Sequence, residues 1–315
     1  MLLNRRHLRI KIMQTLYGHY TEGSGDAVKS EKDLFFSINK MHEMYLYLLL
    51  MMVEMQSVAI EKIEAGRNKK LPTQEDLHPN VKFVTNRIVR KLTNSKTLKK
   101  AAEQTKVSWS DQKDLMKKLF KELSSTDDYK EYMESEERGY EHDREFLLRF
   151  FKRHLINVEL LHDFFEERSI FWNDDLDLVS SMTIKTLKSI REEDDDFELI
   201  PLWSDDDEEF NFAEQLFRKT LALGEESDKL ISEAAKNWEL DRIALMDIVL
   251  MKMALAEAQV FESIPLKVTL NEYIELSKYY STPKSNGFIN GVLDQLFEQL
   301  KTSGKIKKVG RGLLQ

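Results

Sequence analysis

Punctuation is scarce in this chain. Five prolines and eleven glycines are spread over 315 residues, so long stretches carry no residue that would break a helix or force a turn. Sheets need frequent turn signals, whereas helices of Leu, Lys, Glu, Met and Ala do not. The expectation is an all-α protein. The longest apolar run, residues 44–53, is ten residues long and flanked by Glu43 and Glu54. A membrane-spanning helix needs roughly 18, so the run is expected to be the buried face of a helix and no membrane partner is expected.

Helical periodicity predicts a first helix over residues 4–20, with Leu8, Ile12, Leu16 and Tyr20 on one stripe. A second helix is expected from Ser30, capped with Asp33, to residue 65, followed by a loop over 66–79. Weaker patterns follow at 81–107, 110–124 and 127–133. From residue 143 onward an internal match appears at an offset of 66. Phe146, Phe151, Leu155, Trp172 and Asp175 recur as Phe212, Phe217, Leu221, Trp238 and Asp241. Ile200-Pro201-Leu202 also recurs as Ile264-Pro265-Leu266. A degenerate duplication over 140–202 and the chance likeness of two amphipathic helix pairs both fit this pattern.

The net charge of −8 hides an uneven distribution. Residues 1–21 contain Arg5, Arg6, Arg9 and Lys11 without an acid, and the end after Glu298 contains Lys301, Lys305, Lys307, Lys308 and Arg311, again without one. A third basic stretch holds Lys82, Arg87, Arg90, Lys91, Lys96, Lys99, Lys100 and Lys106 against Glu103 alone. Eleven carboxylates collect between Glu192 and Glu209, which is expected to be a solvated connector. The basic N-terminus leads into an amphipathic helix and not into an apolar segment with a cleavage site, so no secretion signal and a cytoplasmic location are expected.

Catalytic chemistry is hard to find. Without cysteine there is no thiolate nucleophile, disulfide or cysteine metal ligand. His142, His154 and His162, with Asp143 and Asp163, lack persuasive metal-ligand spacing. The acidic run lacks the glycine-punctuated alternation of a calcium loop. No enzyme activity, no metal and no cofactor are expected.

The informative segment is 238–294. Trp238-Glu239-Leu240-Asp241-Arg242-Ile243 leads into a helix over 244–258, then Ile264-Pro265, then Val268-Thr269-Leu270-Asn271-Glu272-Tyr273, and finally Phe288-Ile289-Asn290-Gly291-Val292-Leu293-Asp294. In physical terms Trp238 is a large anchor and Asp241 is placed to cap the helix that carries Ile243, Met246, Val249 and Leu250. Pro265 sets the entry to the next helix, and Gly291 leaves room for a close neighbour. In order and spacing the segment resembles the NusB family of transcription antitermination factors. Arg5-Arg6-His7-Leu8-Arg9 and Gln14-Thr15-Leu16-Tyr17 are similar to the family's basic first helix. The likeness covers about residues 3–60 and 207–298.

The resemblance implies a NusB-like helical bundle whose N-terminal helices span 1–65 and whose C-terminal unit spans 206–300. Between them lies an inserted helical region, 66–205, and after them a basic flexible tail, 301–315. It further implies no catalysis, and binding to boxA-like single-stranded RNA together with the ribosomal protein NusE, within the transcription elongation complex during ribosomal RNA synthesis. Homodimerisation stays open. The implied RNA contacts are Arg5, Arg6, Arg9 and Lys11 at one surface, and Tyr280, Lys284 and Phe288 at a second. Tyr280 suits base stacking or packing, and Phe288 suits core or contact. Lys284 and Gly287 replace an acid and a lysine seen in familiar members. Ribosomal RNA cytosine methyltransferases that carry such a domain are excluded by the missing cysteine nucleophile. The remaining competitor is a protein-binding scaffold whose insertion carries the function without RNA.

Overall fold

The computed structural model describes residues 3–23, 25–172, 175–203, 205–235 and 243–313. Among these, all regular structure is helical: α1 Arg5–Thr21, α2 Ala27–Arg67, α3 Gln74–Leu77, α4 Arg87–Asn94, α5 Lys96–Thr105, α6 Lys113–Ser125, α7 Asp127–Glu134, α8 Tyr140–Arg153, α9 Glu159–Arg168, α10 Leu176–Ser189, α11 Glu208–Ala222, α12 Gly224–Ala234, α13 Leu245–Val260, α14 Leu266–Tyr280 and α15 Ser285–Thr302. The chain divides into two compact units. One comprises Met1–Ile38 and Leu202–Gln315, the other Asn39–Pro201. The division therefore falls at residue 38, within α2, and not at residue 65 where the sequence suggests an insertion beginning. The reason is that α2 runs unbroken to Arg67 and its residues from 39 onward pack with the helices of the second unit.

In the first unit α13 is the central helix. Residues 249–258 are buried on every side, as expected of a helix surrounded by others, and α1, α11, α12, α14 and α15 pack on it. The helix α1 begins where the sequence places it. Asn4 Oδ1 accepts the His7 amide at 3.1 Å and His7 Nδ1 accepts the Asn4 amide, closing a reciprocal cap. The expected Ser30–Asp33 cap is not used. Instead α2 starts at Ala27, where Asp26 accepts the Val28 amide at 2.9 Å, and Ser30 bonds His19. Gly291 is exposed with nothing near its missing Cβ, so no helix approaches it closely. Trp238 and Asp241 lie outside the described residues, and with them two of the five pairs of the internal match.

The C-terminal tail is docked. Gly304, with φ +73, lets the chain reverse after α15, and the amides of Lys305 and Ile306 then bond the Leu300 carbonyl. Ile306 is buried, Lys305 pairs with Glu226, and the Val309 amide bonds Glu262 O at 3.0 Å. Lys308 donates to Phe261 O at 2.9 Å. A cation at the carbonyl end of α13 favours the helix dipole.

In the second unit the apolar run of α2 forms the core. Tyr47 meets Trp109, Phe164, Phe165 and Trp172 with ring centroids 5.0 to 6.2 Å apart. The Trp109 indole donates to Tyr47 O and the Trp172 indole to Lys40 O. By length and composition α2 passes for a membrane span, but Met44, Tyr45, Leu46, Leu48, Leu49, Met51 and Met52 are fully enclosed by protein. Asn86 caps α4 and also donates to Tyr132 and Asp143 O, while Asp143 accepts from Tyr132 and the Arg87 amide. The pattern at 81–107 is thus broken twice, at Asn86 and at Ser95.

In the first half of the acidic connector Glu192, Glu193, Asp195 and Glu198 are exposed, as a solvated run requires, but the segment is also tied to the fold. Glu192 pairs with Arg87, the Asp194 carbonyl accepts from Lys91, and Phe197 is buried. Asp196 accepts the Lys96 and Thr97 amides and the Ser95 and Thr97 hydroxyls at the start of α5, besides the Phe197 amide. Although burial opposes its charge, these donors hold the carboxyl well below its ordinary range. We expect Asp196→Ala to destabilise the second unit by roughly 1–2 kcal/mol, the upper range of a lost helix cap. Urea unfolding of the whole chain followed by circular dichroism measures it, and an unchanged midpoint would show that the connector contributes no stability.

Candidate nucleic-acid interface

Residues of α1 and of the α13–α14 turn form an open groove of about 550 Å³, with Arg5 and Arg6 at its rim and Ile264, Pro265 and Val268 as its apolar wall. Pro265, the residue before α14, has φ −59 and ψ 141, which turns the chain sharply into that helix. Both rim arginines rest on carboxylates. Arg5 meets Glu208 at 2.8 Å, and Arg6 forms a two-pronged pair with Glu272 at 2.6 and 2.8 Å. Their side chains are 34% and 51% exposed, so a phosphate can reach them. Exposed pairs of this kind contribute little net stability, and exchange of carboxylate for phosphate is cheap.

Arg9 also lines the groove, but from within the fold. Its side chain is 4% exposed and grips Glu257, which is fully buried, at 2.7 and 2.8 Å. Thr269 and Tyr273 donate to the same carboxylate at 2.8 and 3.0 Å, and the Arg9 guanidinium lies over the Phe212 ring. Burial alone would disfavour the arginine's charge. The hydrogen bonds and charge of Glu257 outweigh it and hold Arg9 above its usual value. Tyr273, buried and beside that carboxylate, is pushed far above the usual tyrosine range. Lys11 is also buried, at 2% exposure. The exposed cations of the N-terminal surface are thus Arg5 and Arg6, with Arg9 at the groove's floor held by Glu257 and Lys11 buried.

The second expected surface rests on Asp247, in the first turn of α13. Its carboxylate accepts from Ser281 at 2.5 Å and Ser285 at 2.8 Å, and Ser285 Oγ accepts the Thr282 amide at 3.2 Å. The turn between α14 and α15 is thereby pinned, with Lys284 exposed at its corner. Phe288 is buried and Tyr280 half-buried, so Phe288 is a core residue and the exposed aromatic is its neighbour Tyr279, at 80% exposure. Sequence reasoning missed Tyr279 because the phase of α14 was not known to one residue. It also missed Asp247 and Glu257 as organising groups. Their signal was present: acids inside an otherwise apolar helix are seldom buried without partners.

The histidines considered for metal binding have other partners. His142 contacts Lys82 and Glu137, His154 Nε2 lies 2.7 Å from Asp128, and His162 Nε2 lies 2.7 Å from Ile156 O. Among the described residues no group of three His, Asp or Glu is placed to hold a metal ion.

The NusB family model matches residues 177–298. Transcription antitermination protein NusB of Natranaerobius thermophilus is 37% identical over 98 residues, covering 30% of this chain and 70% of that protein. The chain belongs to the NusB family. NusB of Salinibacter ruber is 48% identical over 104 residues, covering 33% of the chain, and that of Chloroherpeton thalassium 46% identical over 87 residues, covering 28%. The match spans 65% and 41% of these two relatives. No solved structure matches the chain. The matched segment contains α11 to α14, Glu257, Asp247 and the α14–α15 turn. It begins within α10 and excludes the arginines of α1.

In this NusB-family chain Glu257→Ala should lower the unfolding free energy by roughly 3–5 kcal/mol, because it strands a buried arginine; urea unfolding measures this, and a loss below about 1 kcal/mol would mean that Arg9 finds other solvation. Glu272 sits below its usual carboxylate value, chiefly through its hydrogen bond with Arg6. Its contribution is therefore complete above the unfolded value of about 4.5 and is lost as pH falls through the lower folded value. Arg6→Ala should flatten the fall in stability of the intact chain below pH 4.5, a comparison made by thermal melts at successive pH values.

Proposed function

We propose that this chain is a cytoplasmic, RNA-binding transcription antitermination factor. It acts with the ribosomal protein NusE on boxA-like RNA within the elongation complex during ribosomal RNA synthesis. The observation that carries the reading is the pair of exposed arginines, Arg5 and Arg6, at the rim of an apolar-walled groove in a NusB-family chain. Charge-assisted bonds from arginine to phosphate suit such a rim, and the wall of Ile264, Pro265 and Val268 offers apolar surface to an unstacked base. Lys284 and exposed Tyr279 supply a cation and a stacking face on the second surface.

The compact second unit, residues 39–201, lies mostly outside the family match. It favours a second reading, a scaffold that binds a protein partner without RNA. Salt dependence separates the two, since RNA held by phosphates weakens steeply with salt.

The test is binding of a fluorescent boxA-like RNA, with and without NusE, to the intact chain and to Arg5→Ala/Arg6→Ala. Partner-enhanced binding that falls by about tenfold or more in the variant is expected, given the loss of two phosphate contacts at low salt. Absence of RNA binding by the intact chain with NusE at about 50 mM salt would overturn the proposal.

A further inference from the structure

The basic stretch between residues 82 and 106 has a use that the groove in the first unit does not absorb. Three of its cations have partners within the second unit, and of these Arg87 stays exposed. Lys82 is buried against Ser135 O and His142, Arg87 pairs with Glu192, and Lys91 donates to the Asp194 carbonyl. The other five, Arg90, Lys96, Lys99, Lys100 and Lys106, are exposed and have no ion pair among the described residues. Ile88, Val89 and Leu92 of α4, with Leu98 and Ala102 of α5, are buried. At 100° per residue, Lys96, Lys99 and Lys100 share an arc on the opposite side of α5 from Leu98, within an axial rise of about 6 Å.

Folding does not explain this placement. The first turns of α4 and α5 contain no acid of their own; Asp196 caps the start of α5 with one negative charge, against three lysines, Lys96, Lys99 and Lys100, in its first five residues. A cationic cluster is also contrary to the net charge of −8. The ligand chemistry follows from what surrounds the lysines. The nearby aromatics Phe83 and Trp109 are buried, so no ring is offered for base stacking. The arc carries one acid, Glu103, and no large apolar side chain, which a protein interface needs at its centre and a membrane-surface helix needs as an anchor.

We infer that the exposed face of α4 and α5 is a second nucleic-acid site, which holds the phosphodiester backbone of single-stranded RNA by charge without reading bases. The site lies in the second unit, outside the family match, and does not depend on the role of Arg5 and Arg6.

The experiment uses the full chain and a fluorescein-labelled uridine 20-mer, followed by anisotropy at about 50 to 300 mM KCl. Lys96→Gln/Lys99→Gln/Lys100→Gln should bind at least about tenfold more weakly at the lowest salt, with the log-log salt slope reduced by about 2, three contacts at about 0.7 each. Arg90→Gln/Lys106→Gln, two further exposed cations of the stretch, should weaken binding in the same direction. Circular dichroism checks that both variants fold as the parent does. Equal affinity and slope for the parent and the triple variant overturn the inference. So does tighter binding of phosphatidylserine vesicles or polyglutamate than of the oligouridine, lost in the triple variant. Arg5→Ala/Arg6→Ala keeps the two proposals apart. If it leaves boxA-like binding intact while the triple variant loses oligouridine, the groove reading fails and this one stands; if only the groove variant loses RNA, the reverse holds.

Discussion

The carboxylate of Glu257 sits at full burial in the middle of the first unit, where a lone charge would be too costly to keep. Four hydrogen bonds solve that problem, two from Arg9 on α1 and one each from Thr269 and Tyr273 on α14. Each donor must hold its angle and distance, so the rotation of α1 and of α14 about α13 is set by one side chain. The groove depends on that rotation. With Arg9 drawn inward, Arg5 and Arg6 are carried to the rim, and the α13–α14 turn brings Pro265 and Val268 to the wall. A buried ion pair need not add net stability over an apolar substitute. Its effect here is to specify orientation, which a ring of methionines and leucines would leave freer.

Two more charges on α13 act in the same manner on other neighbours. Lys252 reaches Asp228 on α12 and lies over the Tyr20 ring, and Asp247 pins the α14–α15 turn through Ser281 and Ser285. Spaced five residues apart, the three point to different sides of the helix, at about 140° per step. The second unit uses the same device in Asn86, Asp143 and Tyr132, and again in Asp196. Asn86, Asp143 and Asp196 each satisfy helix-end amides and tie distant chain segments together, with Tyr132 bonding both Asn86 and Asp143.

Charge sorting explains how an acidic chain presents cationic surfaces. Glu208 and Glu272 hold Arg5 and Arg6 in place without burying them, Glu192 does the same for Arg87, and the Asp194 carbonyl holds the half-buried Lys91. What remains outward is part of each basic cluster, and that part bears on recognition. Counting arginines and lysines along the sequence overstates the surface, because nearly half of the positions in each cluster are structural.

Much of the architecture was legible in the residues themselves. Sparse proline and glycine meant helices, the stripe of Leu8, Ile12 and Leu16 marked α1, and the apolar run within α2 marked a core. The order of Pro265, Asn271, Glu272 and Phe288 carried the family. These are local or composition-level properties, and 3.6-residue periodicity survives without knowledge of neighbours. Only the tertiary structure decided that Arg9 and Lys11 face inward, that Tyr279 and not Tyr280 is exposed, that the tail docks, and that the connector is tied down by Asp196. Each of those depends on which partner waits across a gap of ten to several hundred residues, and a hydrogen bond between Arg9 and Glu257, 248 positions apart, leaves no mark in either local sequence.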